Sequence, residues 1–368
     1  MRILYRRRIH QEKEMRNLLY ISIITVFFAG GCGYIEEAVF IGQNSRPGDF
    51  FDESWQYRQP VIIDNSSNPS DLFSYQIKLA ITSPNTDFWS GVEADARSVR
   101  FTDSDKSTLL EFWIERFDSS GQTADFWIRV PLIPASSQKT VYIYYGNASS
   151  SPSGDGNSTF IFFDDCEDND ISDWNILGSG GVSSEPDPGP PVGSTSSYSI
   201  KKISNSDPNG GYRPIGQTLD TSGAGYIFEG RIHRPDPYGG GASDRLAIES
   251  SSYNGYGFNV NHTSGSDYIA IEERTNGSGS TLGSSVSFNP AENDWYDFRF
   301  VLKPSGMFDL FYSDQGGSES VTDRSDTSVS AFDIVAIRGG YEYFVDDLRI
   351  RVSTDPEPPV TTGAQESQ

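Results

Sequence analysis

The sequence predicts an all-β chain: an N-terminal β-sandwich followed by a larger two-sheet jelly roll. Three observations predict it. Apolar and polar residues alternate with period two in one short run after another, the pattern of a strand with one face buried. Clusters of Gly, Asn, Asp, Ser and Pro separate the runs, as turns separate strands. The 368 residues include 36 Gly and 20 Pro with 13% aromatics, a composition that favours many short strands over long helices. A chain this long buries sizeable cores without disulfide staples.

The first 32 residues read as an address. Arg2, Arg6, Arg7, Arg8, Lys13 and Arg16 precede an apolar run over 18–29, which leads into Gly30, Gly31 and Cys32. A basic region, a short apolar core and small residues before a cut make a secretory signal. The apolar run is about 12 residues, short of the roughly 20 that a membrane span needs. Small residues before Cys32 resemble a bacterial lipobox, with Ala29 where Leu is commoner. That resemblance implies cleavage, diacylation of Cys32 and a lipid anchor; an ordinary cleaved signal or an uncleaved anchor are the alternatives. A start at Met15 leaves a compact signal by itself. Gly33, rather than Asp, after Cys32 points by the same resemblance to the outer membrane of a two-membrane host. The expected location is the cell envelope, facing periplasm or exterior.

Charge and cysteine count exclude several classes. The net charge is −23, and removing residues 1–32 leaves 22 basic against 49 acidic residues. Nucleic acid is not an expected partner, because its affinity rests on neutralising phosphates. Two cysteines, Cys32 and Cys166, rule out Cys-x-x-Cys zinc, haem-attachment and thioredoxin-like motifs. With Cys32 lipidated, Cys166 has no partner and reads as a small buried hydrophobe rather than a nucleophile.

In order along the chain, 33–53 is a tether and 54–148 the first sandwich. Its strands are expected at 57–63, 73–81, 99–102, 110–117, 124–130 and 140–145. In 73–81 the odd positions Phe73, Tyr75, Ile77, Leu79 and Ile81 are apolar. Residues 149–158, rich in Gly, Ser and Asn, read as a linker. The second module spans 159–353. An irregular, proline-rich stretch is expected over 177–198. Strands are expected at 199–203, 226–233, 245–249, 255–262, 268–273, 295–302, 307–312, 332–338 and 344–352. The tail, 354–368, is expected to be disordered.

The first module carries recurring motifs: Trp55, Tyr57, Arg58 and Pro60; Phe101, Asp103 and Asp105; Leu110, Trp113 and Glu115; Phe126, Trp127, Pro131 and Pro134; and Val141, Tyr145, Gly146 and Asn147. In this order they resemble the domain-of-unknown-function family 2341 over about residues 52–148, with Lys106 where that family commonly has Gly. The resemblance implies a surface or envelope protein and brings no catalytic residues. Phe163, Asp164 and Asp165 at the opening, Trp295 and Tyr296, and Tyr343 to Ile350 at the close are similar to the concanavalin A-like lectin/glucanase fold. A galactose-binding-like jelly roll has similar ends.

Candidate chemistry is sparse. Retaining glucanases of the lectin-like fold present carboxylates on one strand face, about 5–5.5 Å apart. No Glu-x-Asp-x-x-Glu run is present, and Glu272 and Glu273 are adjacent, so they point to opposite faces of a strand. No Gly-x-Ser-x-Gly elbow, P-loop or dinucleotide fingerprint occurs. His233 and His262 read as structural. In 344–352 the even positions are apolar and Asp346 shares their face; with Asp164, Asp165 and Glu167 from the opening strand it could form an oxygen-only calcium site. A salt bridge to Arg349 or Arg351, or plain solvation, is the alternative. Tyr238, Tyr253, Tyr256 and Tyr268, on or beside central strands, are candidate platforms for sugar rings, against packing as the alternative. The expected function is a non-catalytic envelope lipoprotein binding carbohydrate or another extracellular polymer. Adhesion to a protein partner and an unrecognised glycoside hydrolase are the rivals.

Overall fold

The computed structural model describes residues 50–178, 180–189, 196–203, 209–235, 242–262, 267–288, 293–304, 306–314, 317–340 and 342–368. The signal segment, Cys32, the tether up to 49 and Tyr238 lie outside them.

The first sandwich contains β1 (Tyr57–Asp64), β2 (Leu72–Ile81), α1 (Thr86–Gly91), β3 (Arg100–Thr102), β4 (Phe112–Asp118), β5 (Thr123–Ile133) and β6 (Gln138–Tyr145). All six expected strands are present. One sheet pairs β1 with β6 and β6 with β3; the other runs β2-β5-β4. Val61, Ile63, Val141 and Ile143 of the first meet Tyr75, Ile77, Leu79, Phe126 and Ile128 of the second. The short helix α1 closes one end. The side chain of Asn85 accepts from the Phe88 amide at 3.2 Å, and Phe88 is fully buried. Strand β2 departs from its expected alternation at one place. Ser74 is left-handed (φ 45°), so Leu72 turns inward and Phe73 stands 64% exposed.

After α2 (Gly156–Thr159) the second sandwich follows: β7 (Phe162–Asp164), β8 (Asn175–Leu177), β9 (Val182–Pro186), β10 (Tyr198–Lys202), β11 (Gly210–Asp220), β12 (Gly225–Arg234), β13 (Ala242–Glu249) and β14 (Gly255–His262). It continues with β15 (Tyr268–Thr275), β16 (Ser278–Thr281), β17 (Val286–Ser287), β18 (Asp294–Lys303), β19 (Met307–Asp314), β20 (Gly317–Ser325), β21 (Ala331–Gly339) and β22 (Tyr343–Ser353). One sheet runs β20-β19-β18-β12-β22-β10-β9, with β7 also on β22; the other runs β16-β15-β14-β13-β21-β11-β8, with β17 on β15. All pairings are antiparallel. The inner faces share one core, in which Phe228, Phe298, Phe300 and Leu310 meet Leu246, Phe258, Ile271 and Ile337. The expected all-β, two-sandwich architecture is the observed one. The stretch expected to be irregular over 177–198 contains β9.

The tail is where expectation and structure part most. Residues expected to be disordered form β23 (Val360–Thr362) and β24 (Glu366–Ser367), both antiparallel to β1. Their own composition supports no core. Their order comes from the free edge of β1, with Glu366 paired to Arg58 at 2.6 Å and Gln365 accepting from the Tyr145 hydroxyl at 2.6 Å. The first sandwich is thus completed by the end of the chain.

Nor do the two sandwiches hang on a free linker. The described residues, from Phe50 on, belong to one compact unit. Trp113 and Trp127 of the first sandwich pack with Phe160 and Phe163. Beside them Arg349 reaches Glu229 at 3.0 Å and Glu115 at 2.7 Å, and Arg351 reaches Glu229 at 2.9 Å. Both guanidinium groups lie about 5 Å from the Trp127 ring. Burial alone would raise the Glu115 carboxyl, but Arg349 and Lys78 hold it down at about 2.

Candidate functional site

The acids expected to hold calcium are brought near one another, but arginine supplies the positive charge. Asp346 does not face the core with Leu348 and Ile350. A bulge at Asp347 (φ 51°) shifts the register of β22 against β12, so Val345 points inward and Asp346 lies opposite Arg231 on the outer face. The Arg231 guanidinium stands 2.6 Å from Asp346 and 2.8 Å from Asp347. Asp164 accepts from Arg213 and from the Trp174 indole, both at 2.7 Å. Glu167 accepts the backbone amides of Ser197 and Tyr198 at 2.6 and 2.9 Å and so fixes the start of β10. Asp165, pushed up mainly by burial, meets the Glu167 amide at 3.5 Å. Among the described residues no group of three or more His, Cys, Asp or Glu could hold a metal ion. The donor set does not fit calcium: the oxygens that would bind it already accept from guanidinium, indole or amide N–H groups.

Other expected roles resolve individually. Cys166 is buried and free, and burial pushes its thiol well up. His233 is buried with its Nδ1 unpartnered, and burial lowers its pKa. It is therefore a neutral packing residue against Trp295 rather than one with both nitrogens bonded. The His262 side chain lies outside the described residues.

The outer face of the β14 sheet holds the more informative cluster. Leu246, Phe258, Ile271 and Ile337 point into the core, so alternation puts Arg245, Asn259, Ala270, Glu272 and Arg338 on the other face. Asn259 lies between Arg245 and Ala270, and Arg245 lies opposite Arg338. The next row across the strands reads Glu272, Gly257, Ala247, Ala336 and Tyr212. These small residues let long side chains lie flat over them. A Cβ at Gly257 would come within 2.3 Å of the Leu246 carbonyl, so only glycine fits there. Arg338 grips Glu249 through Nε at 2.9 Å and Nη2 at 2.5 Å. Arg274 pairs with Glu249 at 2.9 Å and with Glu272 at 3.1 Å, and Arg245 pairs with Glu272 at 3.2 Å. Glu249 is fully buried, and Glu272, Arg274 and Arg338 are each no more than 3% exposed. Such charges persist away from water only because each is paired. The amide oxygen of Asn259, equally buried, has no partner among the described residues.

Two of the expected tyrosines border this floor. Tyr253 sits in the β13–β14 turn with φ 60°, half-buried, its ring 5.3 Å from the Arg338 guanidinium and edge-on to Tyr212 at 5.9 Å. Tyr268, also half-buried, lies opposite Asn261 one row beyond Asn259. Tyr256 is not a surface platform. The parity of β14 turns it into the core against Phe308, its hydroxyl donates to Asp326 at 2.6 Å, and burial pushes its pKa up to about 12. The arginines and glutamates escape sequence reading because they converge from three strands. Charged residues alternating with Gly and Ala on strands that are otherwise apolar were the available signal.

An uncharacterized protein of Methanocaldococcus jannaschii is 37% identical over 203 residues, 54% of this chain and 19% of its own length; the chain thus spans about a fifth of that relative. Among solved structures, a carbohydrate binding module from Bacillus subtilis matches at 17% identity and a TM-score of 0.36, covering 49% of this chain and 96% of that one. A lectin, UEA-II, complexed with galactose matches at 13% identity and a TM-score of 0.35, covering 53% and 97%. Residues 95–177, from the approach to β3 through the first strands of the second sandwich, match the domain-of-unknown-function family 2341.

Proposed function

We propose that this chain is a non-catalytic carbohydrate-binding module of the cell envelope, and that the outer face of the β14 sheet is its binding surface. One observation carries the reading: a fixed floor of Arg245, Asn259, Glu272, Arg274 and Arg338 laid over Gly257, Ala247 and Ala336, with Tyr212, Tyr253 and Tyr268 at its border. The buried ion pairs hold the face rigid, and the half-buried Arg245, Tyr212, Tyr253 and Tyr268 are the groups a sugar reaches, the guanidinium suiting its hydroxyls and the tyrosine faces its C–H surface. Binding is preferred to hydrolysis because Glu249 and Glu272 are both already held by guanidinium groups, whereas a glycosidase needs one carboxyl free to give up a proton. Residues 1–32 support anchoring at the membrane through Cys32.

The test is a glycan array probed with the full chain in detergent. Specific binding is expected, weakened about ten-fold by Tyr253→Ala, the loss of roughly one stacking contact. Binding untouched by Tyr253→Ala and Asn259→Ala would move the site elsewhere. A second reading, adhesion to a protein partner, is favoured by one feature: Phe73 and Leu132, directly opposite on β2 and β5, are both exposed. A silent array would transfer the proposal to that patch.

A further inference from the structure

A second site, independent of the first, lies where the two sandwiches meet. A cleft of about 330 Å³ opens there, at the small end of the range for small-molecule sites, with room for a single sugar ring rather than a peptide. Arg129 and Gln76, opposite one another on the outer face of β5 and β2, form one wall. Phe160 and Tyr226 supply aromatic surface, and Gln217 and Thr218 form the far wall.

Three features distinguish this cleft from incidental space. The far wall is built by an irregularity: between Pro214 and Leu219 strand β11 advances five residues while its partner β21 advances from Ile334 only to Phe332. The looped-out residues, with Gly216 at φ 85°, leave Gln217 and Thr218 exposed over the opening. Bulges of this kind re-aim side chains beside sites. Ser74, left-handed at φ 45°, lines the same cleft from the opposite sandwich. Third, Arg129 is half-buried, and among the described residues its guanidinium has no carboxylate partner. Its neighbours differ. Lys78 and Arg116 are paired to Glu115 and Asp125, and Arg349 and Arg351 to Glu229. Lining the cleft, the Arg129 guanidinium is a cation free to meet an anion from outside. Gln76 is unavailable to a ligand, since it donates to the Thr159 carbonyl at 3.0 Å and accepts from the Val352 amide at 3.3 Å, clamping the cleft's width.

We propose that this cleft binds an acidic sugar unit, its carboxylate on the Arg129 guanidinium, its ring against Phe160 and Tyr226, and its hydroxyls toward Gln217 and Thr218. The probe is sodium D-glucuronate, titrated into the full chain in detergent by calorimetry, with D-glucose, acetate and inorganic phosphate as parallel arms. Glucuronate is expected to bind and glucose at least ten-fold more weakly. Arg129→Gln is expected to abolish the difference, and Thr218→Trp to block glucuronate by filling the opening from an exposed position. Tyr253→Ala is expected to leave glucuronate binding unchanged, which separates this site from the β14 surface. Equal binding of acetate or phosphate overturns the sugar, leaving a bare anion hole. Glucuronate binding that survives both Arg129→Gln and Thr218→Trp, or no binding at 50 mM, overturns the site.

Discussion

Glu249→Gln tests the central claim about the β14 face, that its charges are withdrawn from water. Glu249 is fully buried and is the shared anion of Arg338 and Arg274, themselves 2% and 1% exposed. Glutamine keeps the shape and removes the charge, leaving two guanidinium groups to share what remains. Breaking a buried pair in this way costs about 3–5 kcal/mol. For a sandwich of this size about 2–4 °C per kcal/mol is expected, so its melting temperature should fall by about 6–20 °C. Differential scanning calorimetry reads it directly. The control is Glu249→Gln with Arg338→Met, which removes the stranded cation as well and should recover a substantial part of the loss. A loss below about 1 kcal/mol for the single variant, the range of exposed pairs, would mean that water reaches this face, and the argument for a preformed floor would fail.

Three further outcomes are expected. Asp347, pushed up to about 6 mainly by burial, Asp346, raised well above the ordinary range by burial and by Asp347, and Asp244, raised to about 6 by burial, all favour the proton in the folded state. Their contribution is complete below the unfolded value near 4; that of Asp347 and Asp244 is lost as pH rises through about 6, and that of Asp346 falls in the same direction. The contribution of Glu115, held at about 2, is present above its unfolded value of 4.5 and is nearly constant from pH 5 upward. Urea midpoints should therefore fall from pH 5 to pH 8, and Asp244→Asn should flatten the slope. Deleting residues 358–368 removes β23 and β24, and amide exchange in β1 should accelerate at Ile62 and Asp64, whose N–H groups face the strap, while Val61 and Ile63, which face β6, and β13 and β14 keep their protection. Cys166 should resist a thiol reagent in the folded protein and react in urea, because it is buried and its thiol is pushed up.

The sequence is most legible where residues alternate cleanly. Residues 255–262 read as a strand from Tyr256, Phe258 and Val260 alone, and the strand has those bounds. It is least legible where order comes from a partner. Strand β20 has one inward apolar residue, Val321, and survives as an edge on β19. Strand β11 interrupts its own pattern with Pro214, Gly216 and a bulge. Period-two alternation puts Asp346 on the inner face, and the bulge in β22 reverses that parity, so it lies on the outer one. Of the site, Tyr253 and Tyr268 are visible because tyrosine near Gly-rich turns is conspicuous; Glu249 and Arg338 are not, because the contact that defines them joins β13 to β21. The cleft at Arg129 depends on how two modules dock, which no local pattern encodes.

The return of the chain to β1 has a mechanical consequence. Gln368 donates its amide to the Gln56 carbonyl at 3.0 Å, and Tyr57 lies opposite Ser367. Entry and exit of a unit of some three hundred residues are therefore one hydrogen bond apart. Tension applied between residues 56 and 368 first loads the β1–β24 pairing and not the cores of the sandwiches. Being antiparallel, the β1–β24 pairing meets such a pull as a zipper, one rung at a time, rather than in shear. Under load the strap would peel first, releasing the segment after β22 while both cores stay folded.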